Sequence, residues 1–279
     1  MKGKVFLLLI LLFFGSYFYF GEGLTIGEYV HGITGSVAKE SSSTFEGETL
    51  TIAAWNLQIF GQSKASNYTL LNYYVNKIDD YDIVFIQEIR DKEGKAFDSL
   101  CRLLQPDYDC MVSTRAGTTN SKEQYGLLYK SSLSFVEAVD YNPYLKKYFE
   151  RPPLEVQFDL GYPLKIYTIH VKPDTVQKEL ENLEDLMKDD ENVLIIGDLN
   201  ADCSYYNPDK EVEFDSWYWI IKDDEDTTVA KSDCAYDRII VNEGMYSKII
   251  SYGIDDPVTK DKSDHYLVWV EIEKLNKNL

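Results

Sequence analysis

Residues 193–206, VLIIGDLNADCSYY, begin as a run of branched aliphatics that only a core can hold and end in Asp198, Asn200 and Asp202. Asp and Asn are poor strand formers, so their arrival marks where a buried strand reaches the surface. The pattern recurs. AAWNLQ places Asn56 at such a position, FIQEIRD places Glu88, CAYDRIIV places Asp237, and KSDHYLV places Asp264 with His265. Taken singly, acids and amides beside strands are ordinary turn or cap residues; their repetition beside apolar runs directs attention to them. Burying so many runs needs a large core, and 279 residues with 44% hydrophobic and 14% aromatic side chains supply one.

Periodicity places strands at 50–60, 81–89, 109–113, 125–130, 193–200, 235–241, 247–252 and 266–273. Residues 154–172 read as a hairpin turning at Gly161-Tyr162-Pro163. Helical patterns cover 67–81, 92–104 and 175–191, and the aromatic run SWYWII (216–221) is assigned a short helix. Strands outnumber helices, and hairpins alternate with helical crossovers. This predicts an α+β arrangement of two packed sheets with helices outside. No repeat at solenoid periods and no shift of composition within 50–274 suggests a second domain.

The N-terminus carries something extra. Lys2 and Lys4 precede an uncharged apolar stretch from Val5 to Phe20, which is not amphipathic and reads as an export signal within residues 1–23. The stretch exceeds a common signal core and falls short of the ~20 residues of a membrane span. A cleaved signal peptide and a retained anchor therefore both stay open. In either case the following chain is expected outside the cytoplasm, free or anchored on the outer face of the membrane. Residues 24–48, small and polar over 33–48, read as a linker. Export permits disulfides, and Cys101, Cys110, Cys203 and Cys234 allow three pairings.

A net charge of −19 argues against a polyanionic partner, because Lys and Arg supply most affinity for phosphates. Divalent cations in an acidic cleft reverse the local sign, and a hydrolase that releases its product does not need tight binding. The recurring acids and amides are hard oxygen donors, suited to Mg²⁺, Mn²⁺ or Ca²⁺ rather than Zn²⁺. Histidine is the second signal. Apart from His31 upstream, the folded region has only His170 and His265, both at the edges of apolar strands. A lone histidine is usually structural; two beside carboxylates form a candidate acid and base.

WNLQIFG, IVFIQEIRD, KEQYGLLYK, IHVKPD, GDLNADCSYY, TTVAKSDCAYDRIIV and SDHYLV resemble, in order, the motifs of deoxyribonuclease I and the endonuclease/exonuclease/phosphatase superfamily. The resemblance spans about residues 50–273 and is most specific in GDLNADCSY and CAYDRIIV, which look like the deoxyribonuclease I branch. It implies a four-layer α/β/β/α sandwich of two mixed sheets, with a catalytic domain over 49–279. It also implies metal ligation by Asn56, Glu88 and Asp264, joined by Asp198 and Asn200, which count among the catalytic residues as well. Glu123 would pair with His170 and Asp237 with His265 as the catalytic acid and base. Arg90 and Arg151 would contact substrate phosphates, while Arg238 is read as structural. Cys203 and Cys234 match the family disulfide; Cys101 and Cys110 do not match cleanly, but their separation suits a local helix-to-strand bridge. Ser121 departs from the pattern, standing where the family has a groove-reading tyrosine.

The implied activity is hydrolysis of DNA phosphodiesters with little sequence specificity, leaving 5′-phosphate ends. Mg²⁺ is the expected cofactor, with Mn²⁺ as a substitute and Ca²⁺ as a structural ion. DNA is the expected partner of a monomeric enzyme, and the membrane a second one if the N-terminal segment is retained. One alternative is the same chemistry on a phospholipid head group or another phosphoester, and another is an inactive binding module. The intact set of polar residues argues against the inactive module.

Overall fold

The computed structural model describes residues 47–187, 190–207, 210, 212–231, 233–255 and 258–275. The apolar N-terminal segment and the linker up to residue 46 lie outside the described residues. In chain order the elements are β1 (Glu48–Phe60), α1 (Gln62–Ala65), α2 (Tyr68–Asp79), β2 (Ile83–Ile89), α3 (Lys95–Leu104) and β3 (Tyr108–Val112). Next come β4 (Gln124–Lys130), β5 (Phe135–Asp140), α4 (Asn142–Leu145), β6 (Leu154–Asp159), β7 (Pro163–Thr168), α5 (Val176–Met187) and β8 (Val193–Asp198). The last are β9 (Tyr218–Trp219), β10 (Asp237–Val241), α6 (Glu243–Tyr246), β11 (Ile249–Asp255) and β12 (Leu267–Lys274).

Two six-stranded sheets form, one in the order β11-β12-β1-β2-β4-β3 and the other β5-β6-β7-β8-β10-β9. Each has one parallel pair near its middle, β1 with β2 and β7 with β8. A parallel pair needs a crossover, which α2 supplies in the first sheet and α5 in the second. Strand alternation then builds the layers. Ile52, Ala54, Ile83 and Phe85 face Val156, Ile166, Leu194 and Ile239 between the sheets. Ala53, Trp55, Val84 and Ile86 face outward onto Leu71, Tyr74 and Ile78 of α2 and Phe97 and Leu100 of α3. Tyr167, Val193, Ile195 and Ile240 do the same beneath Val176, Leu180, Leu183 and Met187 of α5. Helix, sheet, sheet and helix give the expected four layers, each buried aliphatic contributing roughly 1.5–3 kcal/mol.

The differences from expectation lie at the margins. SWYWII is not helical: Tyr218 and Trp219 pair with Val241 and Ile240 as a two-residue edge strand. Aromatic and branched residues suit either state, and a six-residue run is too short for periodicity to decide. β5 was not expected, because FVEAVD is largely solvent-facing and lacks a clean alternation. β8 stops at Asp198, so Asn200, expected inside the strand 193–200, is oriented by a turn instead; its φ is 50°. Both disulfides form: Cys101–Cys110 joins α3 to β3, and Cys203–Cys234 joins the segment after β8 to the one before β10.

Candidate active site

β1, β2, β8 and β10 all deliver a polar residue to the same end of the two sheets. Asp198, almost fully buried, is the hub. Its Oδ2 lies 3.0 Å from Asn56 Nδ2, 3.3 Å from His170 Nε2 and 3.6 Å from His265 Nε2. Each ring's other nitrogen meets a second carboxylate: His170 Nδ1 is 2.6 Å from Glu123 Oε1, and His265 Nδ1 is 2.7 Å from Asp237 Oδ2. Such a partner fixes the tautomer and raises the basicity of the nitrogen facing Asp198. Asp237 is opposite Asp198 in the β8–β10 ladder, so the register of one strand pair sets the spacing of two of the three carboxylates.

Electrostatics follow from this crowding. Burial penalises a charged His265, but the carboxylates of Asp237 and Asp198 outweigh it, and the ring is pushed up to about 10. Burial likewise opposes ionisation of Asp198, yet the neighbouring His265 and His170, with N–H bonds from Asn56 and Asn200, hold its carboxyl below the usual range. For Glu123, the same burial penalty is overcome by His170, Arg151 and Arg90.

The second half of the site is more open. Glu88, at the end of β2, accepts from Ile59 N at 2.9 Å and from Asn56 Nδ2 at 3.4 Å, and pairs with Arg90 at 3.0 Å. Asp264 is 43% exposed and accepts from Gln58 Nε2 at 2.7 Å. Gln58, Ile59, Glu88, Asn200 and Cys203 all have positive φ, leaving Phe214 as the other non-glycine case among the described residues. Backbone strain of this kind gathers at functional sites because the surroundings must hold it in place. Glu88 offers carboxylate oxygens to a hard divalent ion in a group with Glu123 and His170 whose ligand atoms lie within 4.8 Å of one another; Asp198, Asp237 and His265 form a second such group, and Asp264 stands in neither. Asn56 presents its amide nitrogen to Glu88 and Asp198 while Oδ1 accepts from Gln58 N at 2.9 Å. Its ligation of an ion through oxygen requires the amide to turn over. Asn200 Nδ2 is committed to Val171 O at 3.0 Å, leaving its oxygen as the only side-chain donor atom for an ion.

The arginines divide. Arg90 Nη2 reaches Glu88 and Glu123, and its Nε is buried with no hydrogen-bond partner. Arg151 spends Nε and Nη2 on the carbonyls of His170 and Val171 at 2.7 and 3.1 Å, with Glu123 at 3.1 Å. Arg238 is wholly buried, bridging Ile221 O, Ala201 O and Asp223.

Several supporting residues escaped the sequence reading. Gln87 bridges the two sheets, accepting from Asp198 N at 2.9 Å and donating to Ile169 O at 2.7 Å. Ser263 Oγ donates to Asn56 O at 2.6 Å and accepts from His265 N at 3.1 Å. Thr227 Oγ1 accepts from Asp237 N at 3.0 Å. Tyr125 OH accepts from His170 N and donates to Arg151 O, both at 3.0 Å. Only Gln87 carried a signal, as a polar residue that precedes Glu88 inside the otherwise apolar run IVFIQEI.

Two sheets sandwiched by helices form a fold that solved structures share. An endonuclease/exonuclease/phosphatase family protein from Bacteroides thetaiotaomicron superposes with a TM-score of 0.59 at 17% identity, covering 83% of this chain and 100% of that one. D. rerio TDP2, solved with a single-strand DNA product, gives 0.59 at 15% identity, covering 81% of this chain and 99% of that one. The profile of the Endonuclease/Exonuclease/phosphatase family matches residues 53–265, and the chain belongs to that family. Within it the chain is similar to Deoxyribonuclease-1 of Equus caballus, 32% identical over 260 residues, covering 80% of this chain and 92% of that protein. Deoxyribonuclease-1 of Homo sapiens is 32% identical over 262 residues, covering 81% of this chain and 93% of its own.

Proposed function

We propose that this protein is an exported or membrane-anchored endonuclease, dependent on a divalent metal, that hydrolyses DNA phosphodiesters with little sequence specificity and leaves 5′-phosphate ends. The observation that carries the reading is the convergence of two histidine–carboxylate pairs, His170–Glu123 and His265–Asp237, on Asp198. Family membership and relatives named Deoxyribonuclease-1 support DNA as the substrate. Two disulfides and the apolar N-terminal segment support export.

A divalent ion held by Glu88, Asp264 and Asn56, with Asp198 and Asn200 beside them, would polarise the phosphoryl oxygens. The chain's own residues handle protons and position. One histidine takes a proton from the attacking water as its oxygen bonds to phosphorus. The other gives a proton to the 3′-oxygen as the P–O3′ bond breaks, so the phosphate stays on the 5′ end. Glu123 and Asp237 hold the rings and balance their charge. Asp198, facing both rings through Oδ2, keeps them aimed at one point, and Arg90, with a buried unpartnered Nε, offers positive charge to a phosphate.

The test is nicking of supercoiled plasmid by the purified protein with Mg²⁺ or with excess EDTA, followed by end analysis. His170→Ala and His265→Ala should each lose at least ~10²-fold in rate. Undiminished cleavage in EDTA, or near-normal rates in both variants, would overturn the mechanism.

A further inference from the structure

A groove of about 260 Å³ lies beside the His170 half of the site, lined by Lys146, Lys147, Lys172, Lys178 and Tyr148 among others. This is unusual in a chain with 28 basic and 47 acidic residues. Lys146 and Lys147 are exposed and Lys172 is half-buried. Lys178 is paired with Glu181, whereas none of the other three forms an ion pair among the described residues. Tyr148 is 48% exposed, with the Lys147 ammonium 5.6 Å from its ring centre.

The groove's walls are tied together. Buried Glu179 accepts from Glu150 N at 3.1 Å, Lys172 N at 3.4 Å and Thr175 Oγ1 at 3.1 Å. Thr118 donates to Glu150 through its backbone N–H and its hydroxyl, at 2.6 and 2.7 Å. Asn182 Nδ2 holds Tyr148 O at 2.9 Å. The two glutamates are thus tied into the walls by backbone donors; Glu150 also feels the charge of Lys172, and Lys146 and Lys147 are left exposed without an acidic partner among the described residues. The three segments joined here lead directly into the site: one continues to Glu123, one to Arg151, and one follows His170.

We propose that this groove is an accessory track for the phosphate backbone of the DNA substrate, in which Lys146, Lys147 and Lys172 hold phosphates flanking the scissile bond and Tyr148 offers a stacking face. The inference rests on the nuclease reading and adds to it where the substrate strand runs. Lysines act as point charges that position a backbone without reading bases, in keeping with cleavage that ignores sequence. A local positive strip also offsets the repulsion that the net charge of −19 sets up against DNA.

The experiment compares the full-length wild type with Lys146→Ala/Lys147→Ala/Lys172→Ala on a long duplex and on a very short one, at several salt concentrations. A matched triple variant, Lys130→Ala/Lys248→Ala/Lys274→Ala, removes the same charge at the far ends of the strands. Each lost phosphate contact removes about one unit from the slope of log KM against log salt. The groove variant should therefore show a slope shallower by about 2 to 3 on long DNA and a KM raised about tenfold or more, with most of its advantage for long over short substrate lost. The distant triple should keep both slope and preference. If the wild type cuts DNA and the groove variant retains its slope, or if the distant triple changes as much, the track is refuted while the nuclease reading stands. If the wild type cuts neither substrate, both fall.

Discussion

Asp198 Oδ2 has an amide and two imidazoles around it, and this arrangement decides where protons reside. A neutral His265 would leave Asp198 and Asp237 as adjacent buried negative charges, so the ring keeps its proton well beyond the ordinary range. Its folded value of about 10 against 6.5 for the free side chain gives the sign of a linkage effect. The contribution to stability is full below about 6.5 and is lost as the pH rises toward 10. In protein stripped of divalent ions, melting temperature is expected to fall across this window more steeply in the wild type than in Asp237→Asn, which removes the strongest charge on the ring. An NMR titration placing the His265 midpoint near 6.5 would contradict this account. His265 and His170 were legible at this scale because histidine is so scarce in the chain. Ser263, Thr227 and Tyr125 were not, since a hydroxyl that braces a backbone amide looks in sequence like any other surface serine, threonine or core tyrosine.

At the scale of elements, two devices hold the site in register. Gln87 on β2 reaches across the sandwich to the tips of β7 and β8, and Gly197 makes room for it: a Cβ there would sit 2.2 Å from Gln87 Nε2 and 2.6 Å from Ile169 O. Gln87→Ala leaves a buried N–H and a buried carbonyl without this partner, at about 1–3 kcal/mol for each group left unpaired. It should also lower kcat more than it changes KM, by letting Asp198 and His170 drift; an unchanged kcat in a correctly folded variant would mean that the bridge only supports the fold. The second device is Cys203–Cys234, which closes a loop of sequence separation 31. Chain-entropy arithmetic gives roughly 3 to 4 kcal/mol for such a loop. Denaturant titration of Cys203→Ser/Cys234→Ser should show a loss approaching that size, and a loss below about 0.5 kcal/mol would be at odds with the chain-entropy argument. Sequence periodicity located the strands that build these devices, because apolar runs such as VLIIG fit no environment but a core. It failed at the sheet edges, where β5 is exposed and β9 is two residues long. It also misjudged Asn200, whose position depends on a left-handed turn rather than on strand alternation.

At the scale of the whole molecule, a net charge of −19 coexists with family membership among enzymes of phosphate chemistry. The two are compatible if the acids at the site are a place for cations. Glu88 has Arg90, Asn56 and the Ile59 N–H around it, and Asp264 has Gln58 and, at 3.8 Å, His265 Nε2; both carboxylates also feel the charge of Lys64, and His265 is already shared with Asp237 and Asp198. A divalent ion that binds the folded state alone adds RT ln(1 + [L]/Kd) to stability, about 2.7 kcal/mol at a hundred times Kd. Millimolar Mg²⁺ should therefore raise the melting temperature above that in NaCl of equal ionic strength. The rise should shrink in Glu88→Gln and in Asp264→Asn, each of which keeps the shape but removes the charge. General screening of 47 acids by salt would act on the variants and the wild type alike, so the difference between them isolates the site. Equal shifts in all three proteins would mean that the ion acts on the surface at large, and that the acids at the strand ends are not its ligands.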